Sequence, residues 1–348
     1  MNENHHPVWV SLIIVCYNDG RWLPRCLESF RNQTIFPHLE VILVDNASRD
    51  GTDRVAQELV AGWPNAQFIA SGSNLGFGGG SNLGARAARG KYLMLLNSDI
   101  WMEPDCVEQL YRAAESQQAA GAGALILNYD DDSVQTKGGC GFDLFGNIVA
   151  VRAGPTPAEL FCVGVFFFVR RDVFLQVGQL DERLFMYGEE LDLSWRIWLS
   201  GGKLVPVMTA RIHHRGEAGV NPAGGTQLIE NRTSLQKRYF ANRNAILVIA
   251  KNAQHLLLLL LLPCILLLLV EAAVVLLMTQ NWSALRKSYF PAIHDCWRLR
   301  THILTQRRQV KAIRRRGDLW LLRFLRFGFG RWHELEKIFK RGFPRISL

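Results

Sequence analysis

The sequence predicts an α/β fold with a mostly parallel sheet flanked by helices, and three observations indicate it. Short apolar segments rich in β-branched residues alternate with amphipathic segments through the first hundred residues. The connections between them are short, and the apolar segments end abruptly in polar residues. In sheets of this kind, ligands bind beyond the carboxyl ends of the strands.

The first hundred residues predict four strands, each a continuous apolar run: VSLIIVCYN (10–18), LEVILVDNAS (39–48), QFIASGS (67–73) and KYLMLLNSDI (91–100). Helical spacing of apolar residues, with Thr52 or Asp50 as an N-cap of the second helix, predicts the intervening helices at 21–34 and 50–63. A glycine-rich turn running into a helix (74–90) completes the pattern.

The next segments continue the α/β pattern with less regularity. They predict a helix over 104–117, a buried strand followed by a short helix within 161–178, a helix over 180–202 with acids in its first turns, and a late strand with a histidine pair at 204–216.

The totals exclude several classes of protein. Seven scattered cysteines without a CxxC pair indicate neither a disulfide framework nor a zinc site, and they suit a reducing compartment. The glycines of GFGGGSNLG follow the third strand and do not match GxGxxG, so a nicotinamide dehydrogenase is disfavoured. That loop can still bring a backbone close to a phosphate at the helix start, or be only a flexible turn.

Polar clusters follow three predicted strands, at Tyr17-Asn18, at Asp45-Asn46 and at Asn97-Ser98-Asp99. A single Asp at a strand end is often only a turn residue. Three such ends on one edge favour a cleft for a ligand with ribose hydroxyls and a diphosphate held through Mg²⁺ or Mn²⁺, because Asp and Asn are hard oxygen ligands.

The ordered motifs VSLIIVCYN, LEVILVDNASRDGT and NLGFGGGSNLGARAARGKYLMLLNSD resemble the signature of family 2 inverting glycosyltransferases with the GT-A fold. Within that family the chain is similar to the rhamnosyltransferase-like branch that builds lipid-linked polysaccharides. The resemblance covers roughly residues 8–245 and implies a nucleotide-diphospho-sugar donor.

The resemblance also implies roles for matching positions. Asn97-Ser98-Asp99 stands where the family has an Asp-x-Asp metal motif, with Asn at the first position. Asp99 is the expected metal ligand, joined by His213 because of the H-x-x-G spacing in ARIHHRG. Arg215 and Arg243 are further candidates for balancing diphosphate charge. The expected substrate-binding residues are Tyr17, Asn18, Asp45, Asn74, Gly78, Asn82 and Asn97.

YGEELDLSWR (187–196) resembles the family's Glu-Asp segment and places Glu190 at the position of the catalytic aspartate. Inverting transfer needs one carboxylate to take the proton from the acceptor hydroxyl. Glu190 is one methylene longer than Asp, so Asp192 is the alternative base. The acids can instead serve only to favour a helix N-terminus.

The C-terminal third differs in composition from the rest. Residues 246–348 carry 18 Lys+Arg and 5 Asp+Glu, and residues 256–278 form an apolar run interrupted by Pro263 and Glu271. The run is long enough to span a bilayer, but a single span would put the basic tail outside, against the positive-inside bias. A re-entrant hairpin or helices lying in the interface are favoured, with a buried core helix as the alternative.

We therefore expect a GT-A catalytic domain at 8–240 and a helical membrane-associating region at 241–348, on the cytoplasmic face of the inner membrane. The predicted activity is inverting transfer of a sugar, first rhamnose from dTDP-rhamnose, to a lipid-linked or polysaccharide acceptor in cell-wall or polysaccharide biosynthesis. Nucleic acid is not an expected partner. The alternatives are a polyprenyl-phosphate sugar synthase and a catalytically silent nucleotide-sugar-binding scaffold.

Overall fold

The computed structural model of the protein describes residues 7–216, 232–280, 282–327 and 345–347. The first hundred residues confirm the predicted alternation of strands and helices. The elements in chain order are β1 (Val10–Cys16), α1 (Leu23–Arg31), β2 (Leu39–Asp45), α2 (Thr52–Val60), β3 (Ala66–Ala70), α3 (Gly76–Ala87) and β4 (Tyr92–Asn97).

The rest of the catalytic region adds short strands and three helices: β5 (Ile100–Met102), α4 (Cys106–Ser116), β6 (Gly121–Asn128), β7 (Val134–Thr136), β8 (Gly139–Phe142), β9 (Ile148–Ala150), β10 (Phe167–Arg170), α5 (Arg171–Gln176), α6 (Glu189–Leu199) and β11 (Leu204–His214). The C-terminal part contains β12 (Arg232–Ser234), α7 (Leu235–Asn252), α8 (Leu261–Thr279), α9 (Trp282–Ala284), a π-helical turn (Leu285–Tyr289), α10 (Phe290–Arg298), α11 (Arg300–Ile313), α12 (Asp318–Leu321) and β13 (Arg345–Ser347).

The main sheet has the strand order β3-β2-β1-β4-β10-β6-β11-β5, and β7 pairs with β6 outside that order. Strands β1 to β4 are parallel to their neighbours within that group, as are β6 and β11. Strands β5, β7 and β10 pair antiparallel. The prediction of a mostly parallel sheet is therefore confirmed.

Helices cover both faces of the sheet. Successive residues of a strand point to opposite faces, so the apolar side chains of one strand pack against helices on both sides. Leu12 and Ile14 of β1 join a hydrophobic cluster with residues of α1, α2 and α4. Ile13, between them, joins the other cluster, which contains residues of α6, α7 and α8. Both faces of β1 are buried, as its continuous apolar sequence requires.

The helix predicted over 180–202 is shorter at its start, since α6 begins at Glu189. Residues Glu182–Leu184 form a 3₁₀ turn, and Phe185 and Tyr187 each have a φ of 65°, which interrupts the helical path. Gly188, with a φ of 88°, precedes the helix. The interruption places Glu190 in the first turn of α6.

The C-terminal helices share the hydrophobic core of the catalytic region. The domain boundary predicted at residue 240 falls inside α7, and α7 packs against α6. The hydrophobic cluster that contains Ile13 continues through Ile246 and Leu260 to Phe324. The hydrophobic core on this side of the sheet therefore extends into helices that follow residue 240.

The segment Leu257–Met278, which includes α8, is long and apolar enough to cross a membrane, with a mean hydropathy of 2.9, although length and composition alone are weak evidence of that. Only 28% of its most apolar window is buried, which argues against a core helix. One stripe packs on the protein along the length of the helix (Leu260, Cys264, Leu268, Ala272 and Val275). The opposite face of α8 is exposed and consists of Leu, Val and Met (Leu262, Leu266, Leu269, Val270, Val274, Leu277 and Met278).

Candidate active site

Three neighbouring parallel strands bring their polar ends to one edge of the sheet. β1 lies between β2 and β4. Tyr17 and Asn18 follow β1, Asp45 ends β2, and Asn97 ends β4 two residues before Asp99. The structure therefore brings together the nucleotide-side residues that the sequence predicted from three separate motifs.

The loops that follow β1 and β2 are tied to each other through Asn18. Its backbone N–H donates to Ser48 Oγ at 3.0 Å, and its Oδ1 accepts from the Arg49 N–H at 2.8 Å. The Ser48 N–H in turn donates to Asp45 Oδ2 at 3.2 Å. Asp45 is buried and Tyr17 is exposed at the same edge, so a ligand there meets a fixed carboxylate and a free aromatic ring.

Asp19 is a residue of this edge that the sequence analysis did not single out. Ser98 Oγ donates a hydrogen bond to the Asp19 carboxylate, which links the end of β1 to the loop after β4. Burial raises the pKa of Asp19 to about 6, and the charge of Asp99 contributes to that rise. Its position directly after Tyr17-Asn18 was the signal available in the sequence.

The histidine that faces Asp99 is His214, whose Nε2 lies 3.7 Å from Asp99 Oδ1. His213 is buried, stacks on Trp101 and has its Nε2 3.2 Å from Glu103 Oε1. Successive strand residues point to opposite faces, so only one member of the pair can face Asp99, and spacing alone does not show which. The structure places His214, and not the predicted His213, beside Asp99, and burial lowers the pKa of His214, which favours the neutral imidazole.

The residues at this edge fit a divalent cation. Within the described ranges, no group of three or more His, Cys, Asp or Glu side chains is arranged to hold a metal. Mg²⁺, however, commonly takes one or two protein carboxylates and completes its shell with substrate phosphates and water. Asp99, His214 and the Asn97 amide are chemically suitable ligands, and a cation would offset the contribution that the charge of Asp99 adds, after burial, to the raised pKa of Asp19.

The glycine run serves close packing of α3. A Cβ at Gly80 would lie 2.7 Å from Val15 Cγ1, and one at Gly84 would lie 2.5 Å from Ile13 Cγ2. Gly76, with a φ of 70°, is pressed against the Phe185 carbonyl, which accepts from the Phe77 N–H at 2.9 Å. The glycines therefore let α3 approach β1 and the loop before α6, and a phosphate is not needed to explain them.

The three predicted substrate-binding residues of this segment differ in position. Asn74 is exposed, and its Oδ1 accepts from the Gly76 N–H at 2.9 Å at the start of α3. Asn82 is buried and bonds to Leu180 through both its Nδ2 and its Oδ1, at 2.9 and 3.1 Å. Gly78 is also buried and faces the same segment. Asn82 and Gly78 thus hold the loop before α6 and do not line the edge.

Glu190 lies in the first turn of α6, at the end of the loop that α3 holds. It is half-buried, and burial raises the pKa of its carboxyl. Its neighbour Glu189 is buried, with Oε2 lacking a hydrogen-bond partner among the described residues, and its pKa is raised strongly by burial and then by the charge of Glu190. A carboxyl group with a raised pKa and partial access to solvent has the properties of a general base.

Asp192, the predicted alternative base, is fully buried in an ion-pair network. Arg196 Nη2 lies 2.7 Å and Lys251 Nζ 2.9 Å from Asp192 Oδ2, and Asn252 donates to its Oδ1 at 2.7 Å. Despite burial, these cations lower the pKa of Asp192. Lys251 also contacts Asp181 Oδ2 at 2.6 Å. Asp192 therefore holds α6 on α7, and of the two predicted bases only Glu190 is partly exposed.

Arg243, which the sequence offered as a diphosphate contact, is also used inside the protein. Its Nη2 donates to the carbonyls of Arg183 and Leu184 at 2.7 and 3.0 Å. Asn244 Nδ2 donates to Leu184, Met186 and Tyr187 at 2.6 to 2.9 Å. The two side chains fix the loop that leads into the first turn of α6. Arg215, the other candidate, is bonded to Asp130 and lies 5.4 Å over the Trp22 ring.

Comparisons with known proteins agree with this geometry. The family model Glycosyl transferase family 2 matches residues 11–178. The N-acetylglucosaminyl-diphospho-decaprenol L-rhamnosyltransferase of Mycobacterium tuberculosis is 30% identical over 246 residues, which is 62% of this chain and 79% of that protein. The chain belongs to glycosyl transferase family 2. This family 2 chain is thus a glycosyltransferase, and the predicted family is confirmed.

Other family 2 relatives match over shorter parts of their own length. Succinoglycan biosynthesis protein ExoO of Rhizobium meliloti is 28% identical over 62% of this chain and 59% of its own. The chondroitin synthase of Escherichia coli is 46% identical, but over 28% of this chain and 14% of its own.

Solved structures of other proteins resemble this family 2 chain in fold. GalNAc-T7, a structure with UDP, GalNAc and Mn²⁺, has a TM-score of 0.53 at 20% identity, covering 60% of this chain and 43% of that one. S. aureus TarS 1–349 has a TM-score of 0.51 at 14% identity, covering 71% and 67%. The predicted GT-A fold is therefore confirmed.

Proposed function

We propose that this glycosyltransferase transfers a sugar with inversion from a nucleoside diphosphate to a lipid-linked glycan at a membrane surface, with dTDP-rhamnose as the donor. The observation that carries the proposal is the placement of Glu190. It is a half-buried carboxyl group with a raised pKa in the first turn of α6, and α3 ties the loop before it to the edge that carries Asp45 and Asp99.

The reaction needs one base and a site for the departing diphosphate. As the acceptor hydroxyl oxygen forms its bond to the anomeric carbon, the carbon–oxygen bond to the diphosphate breaks, and its electron pair leaves with the diphosphate. Glu190 takes the proton of the acceptor hydroxyl. Tyr17, Asn18 and Asp45 hold the nucleoside, and most of the rate gain comes from orientation and fixed charge.

Asp99, His214 and Asn97 would hold a divalent metal at the same edge. The chemistry that a bound Mg²⁺ or Mn²⁺ supplies there is neutralisation of negative charge on the diphosphate. Asp19, linked to Ser98, adds negative charge beside that position.

Two observations support the choice of substrates and place. The Mycobacterium relative is named for an N-acetylglucosaminyl-diphospho-decaprenol acceptor and a rhamnosyl product, which suits a polyprenyl acceptor here. The exposed leucine face of α8, packed along the protein on its other side, suits a helix that lies in the plane of a cytoplasmic membrane surface.

The test is thermal unfolding of the detergent-solubilised full chain with dTDP, UDP, GDP and CDP, each with and without Mg²⁺ or Mn²⁺. We expect stabilisation by dTDP that depends on the metal, since only a ligand of the folded state raises the melting temperature. In Asp99→Asn the metal dependence should be lost. The nucleoside thymidine, which lacks the diphosphate, is the control ligand.

A transfer assay then tests the substrates, with dTDP-rhamnose and polyprenyl-diphospho-N-acetylglucosamine. Stabilisation by another diphosphate alone would contradict the rhamnose donor and leave the transferase site in place. No stabilisation by any diphosphate, in folded protein, would contradict the proposed donor site.

A further inference from the structure

A cavity of about 320 Å³, whose lining among the described residues includes none of the candidate active-site residues, lies between the C-terminal end of α7 and the second half of α11. Its lining in the described part of the chain contains no acidic residue. Six of its ten residues are basic: Lys251, His255, Arg307, Arg308, Lys311 and Arg314. A cavity so lined has the charge and size to take a small anionic group.

Two of these cations are neutralised by the fold. Lys251 Nζ contacts both Asp181 and Asp192, and Arg314 Nη1 lies 3.5 Å from Asp318 Oδ1. Neither is therefore a source of unbalanced charge in the cavity.

The charges of Arg307, Arg308 and Lys311 are not balanced by an acidic side chain of the described residues. Arg307 donates to the backbone carbonyls of Ala250 and Ala253, which fixes its position but leaves it positive. Arg308 and Lys311 are exposed, and no carboxylate of residues 7–216, 232–280 or 282–327 lies within ion-pair distance of any of the three. Burial lowers the pKa of Arg314, and the charge of Arg307 adds to that lowering against the opposing effect of Asp318.

The cavity adjoins the apolar surface of the α8 segment. His255, on its lining, is followed directly by the exposed Leu256, and Leu259 is 59% exposed one turn later. Leu304, which is 58% exposed, is itself part of the lining. A positively charged cavity bordered by exposed leucines matches the chemistry of a phosphate attached to acyl chains.

We propose that this cavity binds the phosphate group of an anionic membrane lipid, with Arg307, Arg308 and Lys311 as its ligands. The proposal rests on the membrane association proposed above and goes beyond it, because it assigns the headgroup to a defined cavity. Guanidinium groups suit this role, since they offer paired N–H donors to phosphate oxygens. The site holds the α7–α11 side of the protein at the lipid surface and takes no part in the transfer reaction.

The test is binding of the full chain to vesicles of phosphatidylcholine alone and of equal parts phosphatidylcholine and phosphatidylglycerol. The variant Arg308→Gln/Lys311→Gln removes two exposed cavity cations. The control Arg286→Gln/Lys287→Gln removes the same two residue types from an exposed position beyond the other end of α8. We expect the cavity variant to lose affinity for the phosphatidylglycerol vesicles by about tenfold more than the control does, with no change on phosphatidylcholine vesicles.

Equal losses in the two variants would overturn the proposal, because they would indicate diffuse attraction to the basic surface. No loss in the cavity variant would also overturn it. Stabilisation of the wild type by inorganic phosphate, without a preference for phosphatidylglycerol, would assign the cavity to free phosphate instead of lipid. Vesicle binding needs no donor, and cooperative thermal unfolding of both variants without any ligand, at the wild-type melting temperature, shows that they are folded, so the result is independent of the proposed transfer activity.

Discussion

Three acidic side chains in the first turn of α6 differ in burial and in pKa, and their surroundings cause these differences. Glu189 is buried without a partner for Oε2 among the described residues, so its pKa is raised strongly. Asp192 is equally buried, but Arg196 and Lys251 lower its pKa. Glu190 is half-buried with a raised pKa. Only Glu190 combines access with a high affinity for a proton, which is the combination that a general base needs.

Glu190→Gln tests this assignment. A general base contributes about 10²- to 10⁴-fold to the rate, so kcat for transfer should fall by about that factor while the diphosphate-dependent stabilisation remains. Glu28→Gln, an exposed carboxyl group on α1, is the control and should keep full activity. Full transfer by Glu190→Gln would remove the residue from the mechanism.

The pH dependence of the wild type follows from the same carboxyl group. Glu190 acts as a base only when deprotonated, and its pKa is raised. As the pH falls, kcat/KM should therefore begin to drop at a higher pH than a free glutamate, with a pKa of about 4.3, would allow. A pH–rate profile measures this, and an acidic limb at the free-glutamate value would contradict the raised pKa.

At the scale of elements, α7 positions α6, the helix that carries Glu190. Arg243 and Asn244 hold the loop before α6, and Lys251 and Asn252 hold the first turn of α6 through Asp192. These contacts explain why α7 packs on α6. They also predict that damage to α7 acts on stability and on the geometry of Glu190.

Lys251→Met should lower the free energy of unfolding by about 3–5 kcal/mol, because it leaves the carboxylates of Asp181 and Asp192 buried without their shared cation. Urea unfolding measures the loss, and Lys287→Met, at an exposed lysine, should change stability by less than about 0.5 kcal/mol.

The same network predicts how the difference in the free energy of unfolding between wild type and Lys251→Met depends on pH. The folded-state pKa values of Asp181 and Asp192 are lowered, so their stabilisation is present above the unfolded pKa of about 3.9 and is lost as the pH falls through the folded values. The gap between wild type and Lys251→Met should therefore narrow below about pH 3.9. A gap that stayed constant there would show that the carboxylates are not its source.

At the scale of the whole molecule, one long apolar face is uncovered. Leu262 and Leu266 on α8 are 69% and 61% exposed, while the opposite stripe of the helix packs on the protein. Water-exposed patches of this kind mark an interaction site, and a helix packed along its length lies on a membrane more readily than across it.

Leu262→Lys/Leu266→Lys should reduce the membrane-bound fraction of the protein, with at least about a tenfold loss of vesicle affinity from the lost apolar contact. Vesicle flotation measures it. Leu175→Lys, at an exposed leucine on α5 in the catalytic region, is the control and should leave binding unchanged. Equal flotation of all three proteins would contradict membrane contact by α8.

The sequence predicted the strands, the parallel sheet and the residues at its carboxyl edge, because these follow from local patterns of apolar and polar residues. Asp45 and Asn97 end strands whose apolar runs are unambiguous, and Asp99 follows Asn97 by two residues. The sequence favoured His213, whereas the structure places His214 beside Asp99, because that position depends on which face of β11 meets the loop after β4. It also missed Asp19, whose raised pKa comes from neighbours distant along the chain.

The sequence by itself determined the fold class and the family, and it predicted Glu190 as the base, since each follows from contiguous motifs with a fixed spacing. The tertiary structure decided that Asp192 is paired with cationic side chains and that Glu190, within the described ranges, is not. Asp192 is separated from Lys251 by 59 positions along the chain, and only the packing of α7 on α6 brings the two charges together. Burial and charge pairing depend on residues far apart in sequence, and these interactions set the pKa and access of each carboxyl group.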